Sequence, residues 1–554
     1  MRKHLLLTLL ILAWGAMLSL QGQNRMQPDF RSPFDFPLLL SANFGELRPN
    51  HFHNGLDIKT GGVTGEPIYS VAEGYVSRVM VLHGGYGQAL FVTHPNGFTS
   101  VYGHVVSFAP KIQEYVRKYQ YGHETFVCDI RIEPDVLPIE KGEMIALSGN
   151  EGSSAGLHLE LRRNDNGDYV DPMPYFRKYL KDDRPPVASL IGLYPVKGRG
   201  VVDGSSRRKL VGAGNLKQRF TAWGEIYTGI AAKDYMSGTS NFYGVHSVTL
   251  YVDSVQVFRS VTDEVSANEN RMINSFIDYG EYAKTRRLVM RSYKAPGNSL
   301  RLLETDDARG IVTIDEERDY HFRYVLEDNF GNKRSYRFTV SGKRQDIPAY
   351  EPQAKWMLRW NQTNVVQEPG MNLIVPKAMV YEDTELDTRV VSDSGNISFD
   401  YVLDAGPAPL HGFCPLEIGV RRLPVADTTK YYIEQRVGKW KASVGGTYAN
   451  GWVKATVRTL GTFSVQTDTV APRITPLGRG TWRTNRNIRF RVSDAQTGIA
   501  SYKVYVDGEF VLFGLKKGVL VIQDPERIKK GVAHRLEVVV KDGCGNEARE
   551  EYEF

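Results

Sequence analysis

Short runs in which hydrophobic and polar residues alternate make up most of the chain after residue 185, and turns rich in Gly, Asn and Asp separate them. Alternation with a period of two is typical of half-buried β-strands, and closely spaced runs of this kind are typical of stacked β-sandwiches. Helical periodicity is rare, and its clearest instance is the amphipathic stretch over residues 110–119. This stretch opens a segment that spans residues 106–137. The favoured role of this segment is packing, and the alternative is that it forms the rim of a groove. The pattern therefore predicts an all-β protein.

The length and the turn-rich junctions predict several domains. A chain of 554 residues has room for about three to five domains. Pro- and Asp-containing junctions at 182–186, 345–348 and 468–472 mark candidate boundaries. We therefore expect a leader, an N-terminal domain and three β-sandwiches, which span residues 1–22, 23–182, 183–345, 346–469 and 470–554.

An internal repeat supports two of these sandwiches. Residues 324–332 (YVLEDNFGN) match residues 538–546 (VVVKDGCGN), and weaker matches relate 229–234 and 248–253 to 498–507. The D-x-x-G-N turn, followed by a final alternating strand, resembles bacterial Ig-like or fibronectin-like modules. Modules of this kind space other domains or bind partners, so proteins of the cell envelope are possible partners for them.

The first 22 residues are expected to be an export signal. Arg2 and Lys3 precede an apolar run over residues 5–20, and the small residue Gly22 follows. A transmembrane anchor is the alternative, but the run is short for a stable span. We therefore expect no stable membrane span after signal cleavage, and a location in the periplasm, the cell envelope or outside the cell.

The cysteine count and the distribution of charge argue against several classes of protein. The three cysteines are widely spaced and odd in number, which supports neither a disulfide framework nor a Cys-ligated zinc. The formal net charge is +6, of which Arg2 and Lys3 contribute two, and both signs are mixed along the chain. Nucleic-acid binding is not expected, because the sequence contains no basic run and no aromatic platform.

Seven of the twelve histidines fall between residues 51 and 158, and three of them have spacings that metals use. His53 precedes Asp57 by four residues, His104 lies in VYGHV, and His158 lies in LHLELR. Imidazole and carboxylate groups suit Zn²⁺, and a catalytic zinc takes three protein ligands. His51 is the main competing candidate, because it lies two residues from His53.

The order of the motifs around these histidines resembles the LytM/lysostaphin-like zinc metallopeptidases, which cut peptide bonds in bacterial peptidoglycan. The resemblance covers about residues 38–175 and follows the motifs NFGELR, HFHNGLD, GEPIYSVAEGYVSRV, GGYGQALFVTHPNGFTSVYGHV, IEKGEMIALSGNEG and LHLELR. It implies an antiparallel β-sheet domain in which His53 and Asp57 bind zinc. It also implies that His104 orients or deprotonates the attacking water. In the family, a final HxH strand gives a second catalytic histidine and then the third zinc ligand.

This chain departs from the family at the HxH strand. The family pattern G-P-H-L-H-F-E-I-R corresponds here to GLHLELR, residues 156–162. Alignment from the left gives His158 the catalytic position and makes Glu160 the third ligand. Alignment from the right makes His158 the ligand and leaves the catalytic position to Gly156. The right-hand alignment is favoured, because loops absorb deletions more easily than paired strands do.

The resemblance implies a zinc-dependent endopeptidase that acts on peptidoglycan peptides, with activity weakened by the shortened HxH motif. One alternative is a degenerate zinc-binding module that recognises wall peptides and regulates another hydrolase. A second alternative is a surface adhesion or structural Ig-like protein. The intact HxxxD and YxH motifs argue against the adhesion protein, and the shortened HxH motif separates the other two possibilities.

Overall fold

Strands dominate the computed structural model, which describes residues 28–149, 156–392 and 396–554, and the all-β fold class is confirmed. The predicted leader, residues 1–22, lies outside these described residues. The α-helices of the described part are α1 to α5, which span Pro110–Gly122, Met173–Phe176, Ile273–Phe276, Tyr279–Thr285 and Trp482–Asn485. None of the helices in the described ranges combines the length and the apolar character needed to cross a bilayer.

The N-terminal region is built on a large antiparallel sheet. Its strands β1 to β13 span Leu40–Ala42, Leu47–Arg48, His51–Phe52, Leu56–Lys59, Pro67–Tyr69, Gly74–Val81, Gln88–Thr93, Phe98–Phe108, Cys128–Arg131, Pro138–Ile139, Met144–Ser148, Gly156–Arg163 and Tyr169–Val170. The central order is β1-β4-β12-β8-β7-β6-β10. Strands β4, β12 and β8 are therefore neighbours, and residues from all three meet on one face of the sheet.

Alternating apolar residues bury the other face of this sheet in a single core. Leu56, Ile58, Leu157, Leu159 and Tyr102 are fully buried there. Helix α1 begins with a proline in its first turn, where the missing N–H costs nothing. It buries Ile112 and Val116, four residues apart on one helix face, against the same core. The amphipathic segment thus contributes to packing, as expected.

The second region forms one continuous sheet around its own core. Its strands β14 to β25 span Val187–Val202, Lys209–Gly212, Arg219–Tyr235, Phe242–Tyr243, Ser247–Val252, Val255–Val261, Glu264–Val265, Met290–Arg291, Leu303–Thr305, Val312–Ile314, Asp319–Glu327 and Lys333–Gly342. A parallel pair, β16 with β25, joins the two halves of this sheet. Strand β20 belongs to the sheet of the N-terminal region, where it pairs with β13. Because that pairing crosses the predicted boundary at 182, the domain limits stay predictions.

The last two regions are sandwiches of two sheets each. Strands β26 to β36 span Trp356–Leu358, Asn364–Glu368, Met371–Val375, Thr384–Val391, Asp400–Asp404, Cys414–Gly419, Tyr431–Val437, Trp440–Ser443, Thr447–Ala449, Trp452–Val457 and Gly461–Thr467. They form a six-stranded and a five-stranded sheet. Strands β37 to β44 span Arg473–Leu477, Arg489–Ser493, Ile499–Val506, Glu509–Phe510, Phe513–Lys516, Val519–Ile522, Arg535–Asp542 and Glu547–Glu553, in two four-stranded sheets.

The last sandwich returns to the N-terminal region and contacts it around the C-terminal end of α1. Asp524 accepts a hydrogen bond from the Tyr121 hydroxyl at 2.8 Å and pairs with Arg117 at 3.0 Å. Lys503 pairs with Glu124 at 2.6 Å. Asp524 is buried, so its two interactions are protected from solvent screening, whereas the Lys503 pair is exposed. The segment around α1 therefore serves as a docking surface as well as a packing element.

Candidate metal centre

His53, Asp57 and His158 converge on the face of the N-terminal sheet that lies opposite its apolar core. Asp57 lies on β4 and is directly opposite His158 on β12 in the antiparallel register, and His53 lies just before β4. Asp57 Oδ1 is 2.7 Å from His158 Nδ1 and 3.1 Å from His53 Nε2. The two histidine nitrogens are 3.1 Å apart. These three side chains thus present one ligand atom each to a common point.

The three side chains fit a divalent metal. Bonds of about 2.0–2.1 Å in a tetrahedral site would place neighbouring ligand atoms about 3.3 Å apart. The observed separations of 2.7–3.1 Å are only slightly shorter, so small side-chain movements would admit an ion. All three residues are buried, and their donor set is two imidazoles and one carboxylate. This set matches the three protein ligands of a catalytic zinc site.

The tautomer of His53 is fixed by a backbone carbonyl. Nδ1 of His53 lies 2.7 Å from the carbonyl oxygen of Asn43, so the Nδ1–H donates there and the Nε2 lone pair faces the site. The side-chain amide of Asn43 forms two hydrogen bonds with the backbone of Gly244 in the second region, at 2.8 and 3.0 Å. A residue outside the N-terminal region therefore helps to orient a candidate metal ligand.

Glu160 lies behind His158, on the ring nitrogen that faces away from Asp57. Its Oε1 is 3.0 Å from His158 Nε2 and accepts a hydrogen bond from the Tyr86 hydroxyl at 2.6 Å. Its Oε2 accepts hydrogen bonds from Nε and Nη2 of Arg162 at 2.9 and 2.7 Å. A carboxylate in this position orients the imidazole and increases its basicity. The structure thus gives Glu160 a supporting position beside His158, which corresponds to the right-hand alignment.

Charges at the centre are strongly coupled. Burial lowers the pKa of His158, but hydrogen bonds to Asp57 and Glu160 outweigh this effect and raise it to about 9. Burial raises the pKa of Asp57, but the hydrogen bonds from His158 and His53 hold it well below its usual range. Burial also raises the pKa of Glu160, and the nearby charge of Arg162 brings it down to about 2. Without a metal, His158 is therefore a cation between two carboxylates at neutral pH.

A β-bulge places His104 beside the metal ligands. Tyr102 pairs with Leu90 and Val105 pairs with Gln88, so β8 has one extra residue between these two pairs. Tyr102 and Val105 both face the core, and His104 adopts a left-handed backbone conformation with φ of 61°. The bulge turns His104 to the metal face, where its ring centroid lies 5.9 Å from that of His158. His104 thus lines the site without belonging to the three-ligand group.

Other histidines of the region lie outside this group. His51 is exposed, and its Nδ1 is 2.9 Å from the carbonyl oxygen of Pro49. His94 is buried in a structural role, with hydrogen bonds to the Glu73 carbonyl and the Ser100 hydroxyl. The main competing candidate therefore points to a backbone carbonyl and not to Asp57.

Sequence reasoning missed four residues that support the site: Asn43, Arg48, Tyr86 and Arg162. Arg48 approaches the second carboxylate oxygen of Asp57 at 3.3 Å. Arg162 could have been found, because alternation places it on the same strand face as His158 and Glu160. Asn43 and Arg48 were visible in the NFGELR motif, but nothing in the sequence gave their partners.

The fold and the centre together define a metallopeptidase-like domain on an antiparallel sheet. Residues 51–121 match the family model for peptidase family M23, which confirms the LytM-like assignment for this part of the chain. Residues 355–468 match the model for a Zu5-like domain. The chain therefore combines an M23 peptidase domain with β-sandwich regions.

Three similar proteins each cover about a quarter of the chain. An uncharacterized metalloprotease from Haemophilus influenzae is 29% identical over 154 residues, which are 28% of this chain and 26% of that protein. The chain thus spans about a quarter of this relative. The catalytic domain of the A109H mutant of a prophage-encoded M23 protein, EnpA from Enterococcus faecalis, is 24% identical, with a TM-score of 0.20, over 26% of this chain and 96% of that one. A zinc-containing peptidase from Vibrio cholerae is 22% identical, with a TM-score of 0.19, over 26% of this chain and 40% of that one.

The raised pKa of His158 predicts that metal binding depends on pH. A metal can bind Nδ1 only after its proton leaves, and below pH 9 that proton is held. We therefore expect the apparent affinity for Zn²⁺ to rise with pH, by roughly tenfold for each unit up to about 9. Competition against a chromophoric chelator at pH 6, 7, 8 and 9, corrected for the chelator's own protonation, measures this slope. An affinity that does not change with pH would contradict the assignment of His158.

Glu160→Gln should weaken metal binding, because it removes the charge that holds the His158 ring. The loss of such a supporting carboxylate typically costs about 10–100-fold in metal affinity. Glu264→Gln is the matched control, because Glu264 pairs with the neighbouring Arg163 at 2.7 Å away from the metal ligands. Equal Zn²⁺ affinity of the two folded variants, measured by the same competition, would show that Glu160 does not support the centre.

Proposed function

We propose that the N-terminal domain is a zinc-dependent endopeptidase that cleaves stem or cross-link peptides of bacterial peptidoglycan. The observation that carries this proposal is the convergence of His53, Asp57 and His158 on one point, with His104 beside them. The M23 family match supports the class of reaction. Peptidoglycan as the substrate, and a periplasmic or extracellular location, rest on the resemblance and on the predicted leader.

Zinc is the metal that this donor set favours, since two imidazoles and one carboxylate suit a borderline-soft ion better than they suit Mg²⁺ or Ca²⁺. When bound, Zn²⁺ would polarise the scissile carbonyl and acidify a water molecule. His104 would take or steer the proton of the attacking water, because it faces the same cleft as the ligands. Proton handling by a positioned side chain is typically worth about 10²–10⁴-fold in rate.

Weak turnover is part of the proposal, because Gly156 occupies the catalytic position of the right-hand alignment. A Cβ atom on Gly156 would lie only 2.0 Å from the carbonyl oxygen of Ile58. No side chain fits there without a shift of the backbone, so the second catalytic histidine of the family has no equivalent at this position. His104 then has to move protons alone.

This same observation favours a second candidate function. A centre that binds zinc but lacks one proton carrier could recognise wall peptides and regulate another hydrolase. The sandwich regions would then present this module to partners in the envelope. Hydrolysis of peptidoglycan by the zinc-loaded chain would support the endopeptidase, and its absence would support the recognition module.

His104→Ala should keep zinc and lose hydrolysis. The full chain is incubated with purified peptidoglycan, with and without zinc chelation, and new peptide termini are identified by mass spectrometry. We expect the unmodified chain to cleave peptidoglycan and to lose this activity when zinc is chelated. We expect His104→Ala to show no cleavage and to keep the same zinc content as the unmodified chain. His123→Ala is the matched control, because His123 is exposed and stacks only on Tyr119 at a ring distance of 4.0 Å. Loss of zinc from His104→Ala would make His104 a ligand. Absence of cleavage by the zinc-loaded chain would favour the recognition module.

Insertion of Pro-His between Gly156 and Leu157 should raise turnover. Two added residues keep the alternation of β12, so His158 keeps its strand face while a histidine returns two positions before it. The backbone at that position has to move away from the Ile58 carbonyl to admit the new Cβ atom. We expect the unmodified chain to work at roughly a hundredth or less of an intact relative's rate, and the insertion to recover part of that factor. A Pro-Ala insertion controls for the added length. If the insertion abolishes zinc binding and the unmodified chain is fully active, the left-hand alignment is correct and Glu160 is the third ligand.

A further inference from the structure

A second group of potential ligands lies where the N-terminal region meets the second region. Asp182 lies in the segment between α2 and β14, Asp234 lies near the end of β16, and Asp328 follows β24. One carboxylate oxygen from each of these three residues lies within 4.8 Å of the others. The chain segments that carry them are far apart in sequence, so the fold itself brings the three carboxylates together.

Two oxygens of this group are buried without a hydrogen-bond partner. Asp234 is only 4% exposed, and its Oδ1 has no partner among the described residues. Oδ2 of Asp182 is in the same state. Within the described part of the chain, no Lys or Arg forms an ion pair with any of the three aspartates. Buried carboxylates without a partner are energetically costly. A positive charge at the centre of the group would therefore stabilise it.

Hydrogen bonds from the protein hold the other oxygens in place. Oδ1 of Asp328 accepts the backbone N–H of Asn332 at 2.8 Å, and Oδ2 accepts the side-chain amide of Asn332 at 2.8 Å. Oδ1 of Asp182 accepts the backbone N–H of Ser237 at 3.2 Å. The carboxylates of Asp182 and Asp328 are therefore oriented by hydrogen bonds from the protein.

The same arrangement recurs in the last sandwich. Asp468, Asp494 and Asp542 form a second group within 4.8 Å, from the same three motifs, D-x-x-x-P, D-x-x-[ST]-G and D-x-x-G-N. There the Thr497 hydroxyl donates to Oδ2 of Asp468 at 2.7 Å. In the first group the equivalent Ser237 hydroxyl donates to Asp183 instead, which leaves Oδ2 of Asp182 without a partner. The three-aspartate arrangement is thus a repeated feature, and only the first group has partnerless buried oxygens.

We propose that Asp182, Asp234 and Asp328 bind one Ca²⁺ ion. The group offers oxygen donors alone, which suit a hard cation and not the zinc of the other centre. Ca²⁺–oxygen distances of about 2.4 Å allow ligand oxygens up to about 4.8 Å apart, and one oxygen from each of the three carboxylates lies within this limit. Mg²⁺ demands a tighter and more regular shell.

The ion would fasten the peptidase domain to the second region. The turn that follows Asp328 already contacts the N-terminal region: Asn329 donates to Asp171 at 2.6 Å, and Arg177 donates to the Phe330 carbonyl at 2.9 Å. Asp182 belongs to the segment that leaves the peptidase domain. Neutralising the three carboxylates would therefore stabilise both sides of this junction at once.

Thermal unfolding and calorimetric Ca²⁺ titration of the full, zinc-loaded chain test the proposal. We expect Ca²⁺ to raise the melting temperature and to slow tryptic cleavage after Lys181, which is exposed beside the site. Asp234→Asn should remove both effects. Asp494→Asn, the matched change in the second group, should leave both in place. Asp182→Asn repeats the test at a less buried position, in case Asp234→Asn does not fold.

The sign of the stability change separates an ion site from a structural acidic cluster. In Ca²⁺-free buffer at pH 9, Asp234→Asn should raise the melting temperature, because burial and the charge of Asp328 raise the pKa of Asp234 to about 8 and the carboxyl is therefore charged at this pH. With Ca²⁺ present, the same variant should melt below the unmodified chain. No Ca²⁺ effect on the unmodified chain, equal Ca²⁺ binding by Asp234→Asn, or saturation by Mg²⁺ alone would overturn the proposal. None of these measurements depends on peptidase activity.

Discussion

The metal centre depends on the register between β4 and β12. Leu56 pairs with Leu159 and Ile58 pairs with Leu157, and all four side chains are fully buried in the core. Asp57 and His158 lie between these pairs, so the same register that buries the apolar residues places the two polar ones together on the opposite face. A slip of β12 by one residue would turn Leu157 and Leu159 out of the core and separate the two ligands. Core packing therefore enforces the geometry of the chemistry.

Much of this centre could be predicted from the sequence, because strand alternation and motif order are local signals. The spacing of His53 and Asp57 and the LHLELR strand identified residues that the structure brings together. The position of His104 also followed from its motif, although alternation alone would have turned its side chain into the core. The one-residue bulge in β8 corrects this, and a single extra residue leaves no clear mark in a sequence.

Contacts between distant segments could not be predicted. The carbonyl of Asn43 orients His53, but Asn43 is itself held by Gly244, 201 residues away. The three aspartates at the first junction come from a linker, the end of a strand and a turn, and their meeting depends on how the second region folds. Sequence repeats identified the D-x-x-G-N turns as structural elements. What those turns bring together becomes visible only when the strands are paired across the sheet.

The contact between the last sandwich and α1 changes what the β-sandwiches can do. Modules joined end to end form a stalk, and each added module carries a terminal domain farther from the opposite end. Here the chain returns, and Asp524 meets Tyr121 and Arg117 on the domain where the described fold began. The peptidase domain is thus held on two sides, by the second region and by the last. The sandwiches therefore set the rigidity of its surroundings and not the length of its reach.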